Sequence, residues 1–138
     1  MKTLAIDYGG RRLGFAVGHR LIGLASPLQT RTRTSLREDL RLIQELIREH
    51  EAGEVVIGRP LNMDGSESTL SKEVERFAAF LKKRIGLPVL FVDERLSSQE
   101  AENRLHELPS PFIRKKNALD AMSAVIILER HFQTETVR

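Results

Sequence analysis

Acidic residues stand at three separated points of the chain where the surrounding pattern calls for apolar or neutral side chains. Asp7 ends the strand-like run 3–6, Asp93 and Glu94 end a second such run at 89–92, and Asp120 lies in the nearly continuous apolar stretch 118–128. A carboxylate at the edge of a core is costly unless something positive binds it. Two strand ends and one helix that converge on a divalent cation would explain all three positions, and that is the geometry of metal-assisted phosphodiester chemistry.

The segment that follows Asp7 admits two interpretations. Gly9 and Gly10 can serve a hairpin turn and nothing more. Alternatively, Asp7 is an oxygen ligand for Mg²⁺ or Mn²⁺. In that case Gly9 and Gly10 let a phosphate backbone approach closely, and Arg11 and Arg12 meet its charge.

The neighbouring acids Asp93 and Glu94 cannot both reach the cation held by Asp7. Successive strand residues point to opposite faces of a sheet, so at most one of the pair shares a face with Asp7. We favour Glu94 as the ligand and keep Asp93 as the alternate, because Asp93 could brace Arg95 or the sheet edge. A charged loop with an internal ion pair is the structural alternative.

Asp120 also has a structural alternative, in which Asn117 caps a helix and Asp120 is an acid of its first turn. The apolar neighbours of Asp120 favour a position facing protein rather than water. A metal ligand can also be a first-turn acid, so both roles are compatible. The predicted catalytic and metal-binding set is Asp7, Glu94 and Asp120.

Basic residues adjoin several of these acids, in a chain of net charge +3. They fall in or beside predicted loops, which indicates a phosphate-facing surface, although ordinary solvated loops are the alternative. The long connection 59–66 predicts a substrate loop, with the amides of the following helix facing phosphate. A loop held by Asx turns and the helix cap is the structural alternative. The predicted substrate-binding cations are Arg11, Arg12, Arg59, Arg95, Arg114, Lys115 and Lys116.

The elements that must position these residues follow from hydrophobic periodicity. Three strands come first, and Pro27 marks the third as an edge or bulged strand. Alternating helices and strands then predict an α/β fold, a mixed sheet with helices on both faces, whose strand carboxyl ends carry the ligand site. The predicted strands are 3–7, 13–18, 23–30, 54–58 and 89–93, and the helices are 35–52, 70–85, 97–107 and 117–132.

Three details of these helices can be tested. The first helix is predicted to bury Leu36, Leu40, Ile43 and Ile47 and to stop at Gly53. The second should end at Gly86. The four histidines show no metal-ligand spacing, and we expect all of them at the surface.

Length and composition bound the class of protein. The 138 residues predict one domain, 1–138, with a frayed tail at 134–138. No apolar run is long enough to span a bilayer, and the amino terminus lacks a signal-peptide pattern. Zero cysteines suit a reducing compartment, so we expect a cytoplasmic protein without a membrane partner.

Four motifs in order resemble the YqgF/RuvX family of Holliday-junction resolvases, also described as pre-16S rRNA nucleases. The similarity covers nearly the whole chain and includes the Asn62 loop, so we expect Asn62 to contact substrate. The motifs are Asp7-Tyr8-Gly9 with Arg12-Leu13-Gly14, Gly58-x-Pro60-Leu61-Asn62-Met63-x-Gly65, Asp93-Glu94-Arg95-Leu96-Ser97 and Lys116-x-x-x-Asp120-Ala121.

The resemblance implies an RNase H-like fold with a five-stranded mixed sheet, order 3-2-1-4-5, in which strand 2 is antiparallel. It also implies a divalent-metal-dependent endonuclease that matures the 5′ end of 16S rRNA in ribosome biogenesis. The expected partner is structured RNA, the pre-16S rRNA, bound by a monomer or weak homodimer.

Two other functions stay open. Junction resolvases place a second acid one turn after the first in the final helix, where this chain has Ser123, and the fourth strand ends in Gly58 rather than an acid. Three carboxylates instead of four therefore weigh against cleavage of DNA junctions. The other alternative is an RNA-binding assembly factor that keeps the fold without catalysis.

Overall fold

The described part of the chain begins as a three-stranded meander, which two helix–strand units and a last helix follow. The structure, a computed structural model, describes residues 1–60, 68–93 and 116–136. The loop 61–67 and the predicted helix 97–107 lie outside these residues. The elements are β1 (Lys2–Tyr8), β2 (Arg12–His19), β3 (Leu24–Thr32), α1 (Leu36–His50), β4 (Ala52–Arg59), α2 (Thr69–Ile85), β5 (Val89–Asp93) and, as α3, Lys116–Thr136.

The five strands form one mixed sheet in the order β3-β2-β1-β4-β5. β2 runs antiparallel to both β1 and β3, whereas β4 is parallel to β1 and β5 is parallel to β4. The predicted order and the antiparallel second strand are confirmed. Because β1, β4 and β5 run in one direction, their carboxyl ends share one edge of the sheet.

The edge strand β3 carries the irregularity that Pro27 predicts. Its pairing with β2 shifts register between Gly14 and Ala16, where Ala16 pairs with Pro27. A proline lacks the N–H that a central strand must donate, so it is tolerated at a sheet edge.

The two faces of the sheet bury different kinds of side chain. Leu4, Ile6 and Phe15 point toward α1 and α2, in the larger hydrophobic cluster. On the other face, Ala5 and Ala16 pack with residues of α3. Small residues at these positions let the last helix lie close to the sheet. No helix among the described residues is long and apolar enough to cross a membrane.

The first helix differs from its prediction at its end. Glu51, not Gly53, ends α1: it adopts a left-handed conformation with φ 54°, and its N–H reaches the carbonyls of the last turn. Gly53 instead lies in β4, where a Cβ would stand 2.4 Å from the side chain of Met1. The second helix ends at Gly86 as predicted, with φ 69°.

The buried face of α1 is also rotated from the predicted stripe. Asp39, Leu42 and Leu46 are buried together with Ile43, whereas Leu36 is 45% exposed. An acid within a core-facing stripe is not expected from periodicity. The cause is Arg33, whose Nε lies 2.9 Å from Asp39 Oδ2 and compensates the buried charge.

A polar cluster fixes the far end of α3 to the sheet. The carboxylate of Glu54 accepts hydrogen bonds from Thr3 at 2.8 Å and from Arg20 at 3.2 Å. His131 Nε2 lies 2.8 Å from the same oxygen. Thr3, Glu54 and His131 are all buried, so the prediction of a surface histidine is wrong at His131. Its partner Glu54 lies far away in the sequence, which is why spacing did not reveal it.

This cluster makes stability depend on pH. Burial alone raises the pKa of Glu54, but the hydrogen bonds from His131 and Thr3 and the charges of His131 and Arg20 outweigh burial and lower that pKa below its ordinary value of 4.5. A depressed carboxyl pKa stabilises the fold above the unfolded value and loses that contribution as pH falls through the folded value. When urea denaturation at neutral pH is compared with urea denaturation below about pH 5, the unfolding free energy of Glu54→Gln should therefore fall less than that of wild type. Parallel pH profiles for the two proteins would contradict this assignment.

A second constraint lies where α3 crosses β2. A Cβ built on Gly14 would lie 2.3 Å from the backbone oxygen of Asp120, whereas one on Gly10 would meet nothing within 4 Å. Gly14→Ala should therefore lower the unfolding free energy by about 1–3 kcal/mol or more, because backbone cannot move aside as a side chain can. Gly10→Ala is the matched control, with an expected change within about 0.5 kcal/mol. Equal urea midpoints for the two variants would show that α3 does not press on Gly14.

Candidate active site

The first component is the carboxyl end of β1. Asp7 is the second-last residue of β1 and pairs with Gly14 across the β1–β2 ladder. The hairpin closes through a 2.8 Å hydrogen bond from the Gly9 N–H to the Arg12 carbonyl. Asp7 is half-buried, and strand alternation places it on the face of Ala5, which is the face covered by α3.

The second component is the first part of α3, which crosses β2 directly above Gly14. The Cβ of Asp120 lies 3.0 Å from the position that a Gly14 Cβ would occupy. Paired residues of an antiparallel ladder place their Cβ atoms about 4.5–5.5 Å apart, so the Cβ atoms of Asp7 and Asp120 are at most about 8.5 Å apart. Two carboxylates at that separation on one face can turn toward a common ion.

Arg12 contacts Asp120 of this acidic pair. Its Nε donates to Asp120 Oδ2 at 2.6 Å, with side-chain exposures of 37% for Arg12 and 20% for Asp120. The terminal nitrogens of Arg12 make no hydrogen bond to the part of the chain that the structure describes. Arg12 therefore orients Asp120 while it keeps its own donors available to an anion.

The last residues of β4 and β5 place their side chains on the face of the sheet opposite Asp7. Arg59 forms an ion pair with Glu75 of α2, and its guanidinium lies 5.3 Å from the centre of the Phe91 ring. Arg59 pairs in register with Asp93. Both therefore belong to the α2 side of the sheet, opposite Asp7. Val92 packs instead against the α3-side cluster.

The remaining predicted residues divide into three groups. Arg11 and Gly10 are exposed on the hairpin, and Gly9 is confined, since a Cβ there would lie 3.0 Å from the Arg12 carbonyl. Lys116 lies in the first turn of α3, of which only the backbone is described. The other predicted residues lie outside the described part: Asn62, Glu94, Arg95, Arg114 and Lys115.

Metal ligation by Asp7, Glu94 and Asp120 therefore stays a prediction. Residues 1–60, 68–93 and 116–136 contain no group of three or more His, Cys, Asp or Glu side chains placed to hold an ion. Asp7 and Asp120 do supply hard oxygen donors on one face, which is the donor type that Mg²⁺ and Mn²⁺ prefer.

The sequence interpretation missed a second arrangement of polar residues beside the hairpin. Tyr8, the neighbour of Asp7, contacts Arg33, which is also paired with Asp39. Tyr8 and Arg33 border a cavity of about 430 Å³ on the α2 side of the sheet. The sequence signal for this arrangement was Asp39, an acid in the first turn of α1 on the apolar side of the helix. The favourable interaction of a first-turn carboxylate with the helix dipole explains such an acid equally well.

Three comparisons bear on this arrangement. The chain is 40% identical over 130 residues, 94% of each chain, to proteins of Escherichia coli and Escherichia fergusonii named "Putative pre-16S rRNA nuclease". A Thermus thermophilus RuvC bound to a Holliday junction has the same fold, with a TM-score of 0.60, 16% identity and coverage of 99% and 96%. The Fowlpox virus resolvase in complex with junction DNA matches over 100% of both chains, with a TM-score of 0.58 and 9% identity.

The fold is thus that of the RNase H-like resolvases, as the family resemblance implied. The sequence profile of the RuvX family, described as "Holliday junction resolvase", matches residues 1–134, which include both Asp7 and Asp120. This chain belongs to the RuvX family.

Proposed function

We propose that this protein is a divalent-metal-dependent endonuclease that processes the 5′ end of pre-16S rRNA in the cytoplasm. The observation that carries the proposal is the close approach of α3 at Gly14, which places Asp120 beside Asp7. The name of relatives that are 40% identical supports the substrate. The site lies at the carboxyl end of β1, where ligands of such sheets bind.

Asp7 and Asp120 would hold one or two ions of Mg²⁺ or Mn²⁺, and Glu94 would complete the set. Glu94 is favoured over Asp93 because register and alternation place Asp93 on the α2 side. When bound, such an ion supplies an activated water nucleophile and stabilises charge on the phosphate and the leaving oxygen.

The protein's own residues would position the substrate strand. Arg12 keeps Asp120 in place through its Nε and can donate its terminal N–H groups to a phosphate. Arg11 and Gly10, exposed on the same hairpin, would let the sugar-phosphate backbone approach. Phosphate contacts of this kind hold a nucleic acid in register without reading its sequence.

Cleavage of DNA junctions is the second candidate, because the family description names that activity. The described residues give it less support, since Ser123, one turn after Asp120, is buried and carries no acid. Symmetric cutting of a junction also needs two active sites and hence a dimer. Parallel Mn²⁺ assays of homogeneous protein on a pre-16S rRNA fragment and a four-way DNA junction separate the two. Preferential cutting of the junction would overturn the rRNA proposal.

Asp7→Asn provides the direct test of catalysis. Replacing the carboxylate by an amide should reduce cleavage of the pre-16S rRNA fragment at least about 100-fold, since losing even an outer partner of a metal ligand costs about 10–100-fold. Thermal stability and RNA affinity should stay close to wild type, because the side chain keeps its size.

Glu49→Gln is the matched control, because it makes the same acid-to-amide change on the exposed side of α1. It should cleave at the wild-type rate. If homogeneous Asp7→Asn also cuts at that rate, the proposed site is wrong. If cleavage follows a contaminant through purification, the RNA-binding assembly factor is the better description.

A further inference from the structure

A cavity of about 430 Å³ lies on the α2 side of the sheet, next to the hairpin that carries Asp7. Tyr8 and Gly10 line it from the hairpin, Arg33 and Leu36 line it from the start of α1, and α2 forms the opposite wall. Tyr8 directly follows Asp7 in β1, so the two side chains point to opposite faces of one strand end. The cavity and the candidate active site thus share one edge of the sheet.

The guanidinium of Arg33 is held in one orientation within this cavity. Its Nε donates to Asp39 at 2.9 Å, and its Nη1 donates to the hydroxyl of Tyr8. The ring of Tyr8 lies beneath it, 4.6 Å from the guanidinium carbon, and Asp39 is only 2% exposed. Burial lowers the pKa of Arg33, but the hydrogen bond with Asp39 and the contacts with Tyr8 outweigh it and raise that pKa. Arg33 is therefore a fixed cation.

Arg33 keeps hydrogen-bond donors that the described residues do not use. A guanidinium has five N–H groups, and Arg33 commits one at Nε and one at Nη1. Its Nη2 has no hydrogen-bond partner in the described part of the chain. Nη2 is also not one of the fully buried side-chain nitrogens that lack a partner there, so solvent or a ligand can reach it. Since Arg33 lines the cavity with 18% of its side chain exposed, these donors are available to an anion.

The opposite wall provides a second cation. Arg76 of α2 lines the cavity, is exposed, and makes no ion pair within the described residues. Among the described residues, Glu73 is the one acid that lines the cavity, so the wall is not uniformly positive. Leu36 and Phe80 add apolar surface to the same space. Two cations can hold a phosphate, and the apolar side chains beside them can contact the sugar or base ring that a nucleotide joins to it.

We propose that this cavity binds a nucleotide of the substrate strand adjacent to the one that is cut. Arg33 and Arg76 would hold its phosphate, and Leu36 and Phe80 would contact its sugar or base. This inference rests on the proposed function, because a strand held at Asp7 would have to cross the Gly10 hairpin to reach the cavity on the other face of the sheet. The cavity volume is within the range of about 300–1,000 Å³ typical of sites for small ligands.

Arg76→Glu is the first test, measured by fluorescence anisotropy with a short fluorescein-labelled single-stranded RNA from the pre-16S leader. The measurement uses the Asp7→Asn background in buffer without divalent metal, so that the RNA stays intact whether or not Asp7 is catalytic. Arg76→Glu should weaken binding roughly 10-fold, as expected for the loss of a charge-assisted contact. The slope of log K against log salt should fall by about 0.7, because one phosphate contact is lost.

Lys83→Glu is the matched control, since it makes the same charge change on the same helix. Lys83 is exposed and lies seven residues after Arg76, about 10 Å further along α2 and away from the cavity. It should leave the salt slope unchanged. Equal affinities and slopes for Arg76→Glu and Lys83→Glu would overturn the subsite.

Arg33→Lys is the second test and keeps the charge. A lysine ammonium cannot contact Asp39 and Tyr8 and also present a planar fork to a phosphate. Binding should therefore weaken several-fold, while thermal melting reports any loss of fold. Arg76→Glu decides the case if Arg33→Lys does not fold. A folded Arg33→Lys that binds the RNA as tightly as its parent would contradict the role of Arg33.

The failure of this subsite is distinguishable from failure of the proposed function. If Asp7→Asn abolishes cleavage while Arg76→Glu and Lys83→Glu bind alike, the nuclease stands and the subsite falls. If RNA binding depends on Arg76 but Asp7→Asn cuts as wild type does, the subsite stands and the proposed catalysis falls.

Discussion

The absence of a side chain at Gly14 is the constraint on which the arrangement of the site depends. The backbone of α3 occupies the space that a Cβ on Gly14 would need. Such a Cβ would lie 2.3 Å from the backbone oxygen of Asp120. Gly14 is also the ladder partner of Asp7. One glycine thus places an acid from the last helix beside an acid from the first strand, although more than a hundred residues separate them.

Much of the fold follows from patterns that are local in the sequence. The apolar runs that end at Asp7 and Asp93 are strands, and Gly86 and Pro27 have the positions that backbone chemistry predicts. The strand order came from the family resemblance. What local patterns cannot supply is the pairing of distant residues. The burial of His131 depends on Glu54, 77 positions earlier, and no spacing rule connects the two.

The site divides in the same way. Parallel strands end at the same edge of a sheet, so the sequence predicted that acids at strand ends would gather there. The structure brings Asp7 and Asp120 to one face of the sheet. The direction of Arg59 toward α2 depends on the register between β1 and β4, which the sequence does not encode in any short motif. The inward position of Asp39 is a further case, because the cation that compensates it precedes the helix rather than lying within it.

The last helix is attached to the sheet near both of its ends, by Asp120 near its start and by His131 near its end. Eleven residues separate them, about 16 Å along the axis. A rigid rod fixed at both ends cannot tilt at one without straining the other. Mutations in the remote polar cluster could therefore impair the protein while leaving its reacting groups chemically intact, and a loss-of-function screen would find them far from the candidate active site.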